Sequence, residues 1–152
     1  MEEMIQNAFG WIREQEISTA KELSRLINAC ELWGVENDFA TKLIQLRSGN
    51  NWFNSIRETA RACSSLVYSK LDLEECGQWL LSNRKNNGSW ENDVYDTTYA
   101  LIALADMGIH ETKGCRWLVE NYGEKWEHVG TTSLIITTLV KQNNLTKEKH
   151  FN

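Results

Sequence analysis

"NNGSWENDVYDTTYALIAL", Asn86 to Leu104, decides how this chain is read, because its outline recurs. "LRSGNNWFNSIRETARACSSL", Leu46 to Leu66, and "NYGEKWEHVGTTSLIITTL", Asn121 to Leu139, run in the same order: a glycine turn, a tryptophan, a short polar loop, then a helix opening on Thr-Ala or Thr-Thr. Trp52, Trp90 and Trp126 are spaced by 38 and 36 residues. A period in the high thirties with two helices per unit marks a stacked α/α array, in which each unit buries its apolar face on its neighbours. A fainter first copy runs through "FGWIREQEISTAKELSRLI", Phe9 to Ile27. There Gly10-Trp11 echoes Gly77-Gln78-Trp79 and Thr19-Ala20 echoes Thr59-Ala60, which makes about four hairpins.

Outward from these units, apolar residues keep helical spacing almost throughout, as in Leu23, Leu26, Ile27 and Cys30, and no period-2 alternation predicts a strand. Capping boxes place helix starts at Thr19 with Glu22, Ser55 with Glu58 and Asp72 with Glu75. The chain has no proline, so glycine and asparagine end the helices. The expectation is an all-α fold of eight helices, near 3–14, 18–33, 37–47, 54–69, 72–83, 96–107, 111–121 and 131–143. They form about four antiparallel hairpins in a partial α/α toroid. Residues 1–144 make a single repeat domain, followed by a polar tail over 145–152. Each repeated tryptophan is expected to pack across onto the neighbouring hairpin and to place its indole N–H there. Ala60, Ala62, Cys63, Ala100 and Ala103 are small enough to allow close helix packing at the centre or a modest pocket, with packing the favoured reading.

At 152 residues the chain can bury a core without disulfides or a metal. Its formal charge of -5 provides no basic field for nucleic acid. Cys30, Cys63, Cys76 and Cys115 form no C-x-x-C pair and read as reduced thiols. The acidic start "MEEMIQNAF" is unlike a signal peptide, and no apolar run reaches the roughly 20 residues of a membrane span. These features predict a cytoplasmic protein with no membrane span and no nucleic-acid partner.

"GQWLLSNRKNNGSW", Gly77 to Trp90, resembles the QW repeat of squalene and oxidosqualene cyclases and of the related α/α-toroid prenyltransferases. Trp79, Leu80, Gly88 and Trp90 match that motif, and Arg84 stands where the family usually has glutamine. The resemblance implies a search for the acid that protonates the substrate in those cyclases, carried by an Asp-x-Asp-Asp-Thr segment. The matching positions read Asp93-Val94-Tyr95-Asp96-Thr97, with Tyr95 at the acid position. A phenol of ordinary pKa near 10 is too weak an acid to protonate an alkene. If chemistry survives, Asp93 and Asp96 are the candidate acids. Trp90, Tyr95, Tyr99 and Trp126 are then the candidate ligand-binding aromatics, able to stabilise a carbocation.

The plainer reading makes Asp96 a helix N-cap. Metal-dependent members of the family need an Asp-rich or Asp, Cys and His site. Here His110 with Cys115 is the nearest approach, with no third ligand apparent, so no metal or cofactor is expected. The favoured function is a small binding or protein-interaction module that keeps the repeat fold and lacks the catalytic acid and metal motifs. The alternative is an enzyme, or enzyme subunit, acting on an isoprenoid or lipid. Four units leave an open end, so a homodimer or a protein partner is expected to cover it, with an apolar ligand as a further possibility.

Overall fold

The computed structural model describes residues 1–122 and 128–151. Over these the chain is all-helical: α1 (Glu2–Arg13), α2 (Ala20–Trp33), α3 (Phe39–Gln45), α4 (Ile56–Leu66), α5 (Glu74–Ser82), α6 (Val94–Asp106), α7 (Thr112–Tyr122) and α8 (Val129–Phe151). Each helix lies within a few residues of its expected place. The last continues through the polar residues after Leu145.

Alternate helices form a row, with α2 against α4, α4 against α6 and α6 against α8. The others lie outside it: α3 packs on α2, α5 on α4, and α7 on both α6 and α8. The middle of the row, α4 and α6, is rich in small buried residues. Ala60, Ala62 and Cys63 of α4 and Ala100 and Ala103 of α6 are all buried. Leu23, Leu43, Leu66, Leu80, Leu101, Leu104 and Leu118 fill the space between row and outer layer. Burial of such side chains is the main favourable term in folding.

The loops from outer helix to row helix repeat in atomic detail. Trp52 and Trp90 are fully buried, and each indole N–H donates over 2.7 Å to a carbonyl of the outer helix just completed, Leu43 for Trp52 and Leu80 for Trp90. This corrects the expected acceptor: the partner lies within the tryptophan's own unit, at a last-turn carbonyl that otherwise accepts only a 3.2 Å main-chain bond from the helix C-cap. The ring of Trp90 still reaches the next unit, since a Cβ on Gly114 of α7 would lie 3.2 Å from its Cζ3. Each tryptophan's main-chain N–H donates over 2.9 Å to a threonine hydroxyl seven residues on, Thr59 or Thr97.

After each tryptophan come two residues in the left-handed region, Phe53 and Asn54 (φ 57° and 50°) and Glu91 and Asn92 (55° and 50°). Non-glycine residues seldom adopt this backbone. Two consecutive pairs at equivalent places show that the turn is held by its surroundings. Gly88, in the turn before Trp90, is required twice over: its φ of 96° suits glycine, and a Cβ there would lie 2.5 Å from the Lys113 carbonyl oxygen of α7.

Candidate functional site

Three members of the helix row, α2, α4 and α6, begin with the same three-residue device. Thr19, Ser55 and Asp93 are the N-caps of α2, α4 and α6, and each side chain accepts the main-chain N–H three residues on, from Glu22, Glu58 and Asp96. Asp96 is therefore not the cap expected of it. Asp93 fills that role over 2.9 Å, because the helix begins three residues earlier than the Thr-Thr signal suggested. Asp72 accepts the Glu74 N–H, but α5 starts after Leu73 without a side-chain cap. The first unit also shifts register: Thr19 aligns with Ser55 rather than with Thr59.

From these caps a ladder crosses the row. The second residue of each helix reaches the third residue of the next. The Lys21 N–H donates to Glu58 Oε2 at 3.2 Å, Arg57 Nε donates to Asp96 Oδ1 at 2.8 Å, and the Tyr95 hydroxyl meets Thr131 Oγ1 at 3.0 Å. Arg57 also donates to Asp93 Oδ1 at 3.0 Å and lies over the Tyr95 ring, 5.5 Å from its centroid. Burial works against the charge of Arg57. The hydrogen bond to Asp96 and the two carboxylates outweigh it and hold its pKa above the ordinary arginine value.

Both candidate acids are thus shared by one guanidinium, and the tyrosine between them bonds a threonine of α8. Trp90 is buried in the core and does not line the groove that Tyr99 faces. Trp126 lies outside the described residues.

That groove, about 430 Å³, runs along one side of the row and takes residues from all four of its helices. Lys21 and Arg25 line it from α2, Arg61 from α4, Tyr99 and Asp106 from α6 and Lys141 from α8. Arg61 lies over Tyr99, 4.6 Å from the ring centroid, and Lys141 pairs with Asp106 at 2.7 Å. None of these cations is among the sequence-predicted site residues. A signal was available: "TAKELSR" (19–25) and "SIRETAR" (55–61) place a cation, a glutamate and an arginine at identical positions 36 residues apart. Aligning the first unit on Thr59 hid it.

Elsewhere the titratable groups serve the scaffold. Arg84, at the family's glutamine position, pairs with Glu111, whose own N–H donates to Gln142 Oε1 at 2.9 Å. Gln142 is buried and donates in turn to the Leu101 carbonyl at 2.8 Å, tying α8 to α6. His110 Nδ1 donates to the Gln142 carbonyl at 3.0 Å, and its Nε2 is 3.1 Å from Thr112 Oγ1. Cys115 is pushed up to about 11, by burial and then by the Glu111 charge. Cys76 is drawn below the usual thiol value by a hydrogen bond from Cys63 and, against burial, by Arg47. Both thiols of that pair are buried between α4 and α5, away from the groove.

Among the described residues no three His, Cys, Asp or Glu side chains converge as a metal site, and no helix is long and apolar enough to cross a membrane. No family model, curated protein or solved structure matches the chain.

Proposed function

We propose that this chain is a non-enzymatic binding module that engages its partner through the groove along the helix row. One observation carries the reading: Asp93 and Asp96, the acids a cyclase-like reaction would need, are both hydrogen-bonded to Arg57 and spent on cap and ladder. Carboxylate oxygens that already accept from a guanidinium and, at Asp93, from a main-chain N–H are taken up by the scaffold and not offered to a substrate. Tyr95, at the family's acid position, is likewise held by Thr131. Activity assays on the purified chain test this. No turnover of squalene, oxidosqualene or geranylgeranyl diphosphate is expected, and turnover that Asp96→Asn abolishes would overturn the reading.

The ends of the row support a second contact. Val129, Ile136 and Val140, spaced seven and four residues apart on α8, share a helical face and are 86%, 51% and 52% exposed. On our reading a second copy covers this face, since a two-fold axis buries the same patch on both chains. Light scattering across a concentration series is expected to give a dimer mass that Ile136→Glu reduces to the monomer. A monomeric mass for the unmodified chain at every concentration rules the dimer out.

A further inference from the structure

The groove carries charge opposite to that of the chain. Among the described residues its charged lining is Lys21, Arg25, Arg61 and Lys141 against Asp106, in a chain of formal charge -5. Asp106 is neutralised by Lys141. Arg61 Nη1 pairs with Glu58 at a loose 3.5 Å and the guanidinium stacks on Tyr99, which fixes its plane and leaves its remaining N–H groups to donate. Lys21 and Arg25 have no side-chain ion-pair or ring partner among the described residues. They stand one helical turn apart, so both face the same side of α2.

The spread of these cations selects the ligand. A single small anion needs donors converging on one point, whereas here they are distributed over successive helices. Packed helices lie about 8–10 Å apart, so α2 and α6 are separated by roughly 16–20 Å. An extended chain of about five or six residues spans that distance at ~3.3 Å per residue. A long polyanion such as nucleic acid would also meet the net negative field of the whole molecule. A short segment meets only the local one.

Building on the binding-module reading, we propose that the groove docks an extended acidic segment of a partner protein. Its carboxylates are received by Lys21, Arg25 and Arg61, and its main chain by the polar side chains of Asn28 and Ser64, which also line the groove. Tyr99 provides an aromatic floor for an apolar residue between the acids.

Fluorescence anisotropy of a labelled hexaglutamate peptide against the full chain tests this. Binding is expected at low salt and should weaken as salt is added. Lys21→Glu and Arg25→Glu, both exposed substitutions, should each weaken it about tenfold or more by setting like charge against the peptide. Arg116→Glu, on α7 outside the groove, should leave it unchanged. The proposal is overturned by no binding at low salt, by binding indifferent to Arg25→Glu, or by tighter binding of inorganic phosphate or of a single-stranded oligonucleotide of equal charge. The two readings fail separately: isoprenoid turnover removes the module itself, while loss of peptide binding without turnover removes only the acidic ligand.

Discussion

Trp11 and Trp90 both follow a glycine closely, and each precedes a side-chain-capped helix of the row. Their own surroundings differ. Trp11 sits inside α1 with 64% of its surface exposed, while Trp90 is fully buried, as is Trp52. What defines the unit is therefore not the glycine and tryptophan alone. It is the tryptophan together with a threonine seven residues on, a two-residue left-handed turn between them, and a helix ending close enough for its carbonyl to take the indole N–H. Ser18 stands seven residues after Trp11 but is exposed and makes no such bond.

The comparison is most easily broken by truncating its two sides. Trp90→Ala and Trp52→Ala should each destabilise the chain by about 3–5 kcal/mol, the usual loss for a buried large aromatic. Trp11→Ala should stay within about 0.5 kcal/mol, as exposed substitutions do. Chemical denaturation followed by circular dichroism measures all three, and similar losses for Trp11 and Trp90 would erase the distinction.

The threonine sharpens it. Thr97→Val and Thr59→Val keep the shape and remove the hydroxyl that accepts the tryptophan main-chain N–H, leaving a buried donor unpaired at about 1–3 kcal/mol. Ser18→Ala should change nothing. If the valine variants melt with the parent, water or another acceptor replaces the hydroxyl, and threonine is not part of the unit.

The smallest expected difference separates the two aspartates. Asp93→Ala removes an N-cap, at about 0.5–2 kcal/mol, as well as one Arg57 contact. Asp96→Ala removes a partly exposed ion pair, worth about 0.2–1 kcal/mol. Thermal melts of the two variants rank them, and a larger loss at Asp96 would return the capping role to it.

Much of the candidate site was legible and was read at the wrong offset. The capping box of Thr19 and Glu22 is reciprocal in the structure, with the Glu22 N–H 3.2 Å from the threonine oxygen and that hydroxyl 3.0 Å from the carboxylate. Such three-residue signals are local and survive any change in tertiary context. The Asp93 cap was misplaced because Thr97-Thr98 looks like a helix start, yet Thr97 is committed to Trp90. The groove cations escaped notice because a lysine or arginine on a helix is most often a solvated surface residue, and only the stacking of units puts four of them on one side.

By itself the sequence determined the all-helical class, the number of helices over the described residues and the period of the loops. These depend on spacings of three, four and about 37 residues that are printed in the chain. Tertiary structure decided which atoms meet across units: Arg57 with Asp93 and Asp96, Arg61 with Tyr99, Gln142 with the Leu101 carbonyl. Those partners lie 36 to 41 residues apart in the chain. Their meeting depends on how far each helix is rotated and shifted against the next. Close packing of small residues in the core sets that rotation and shift, and no local pattern encodes them.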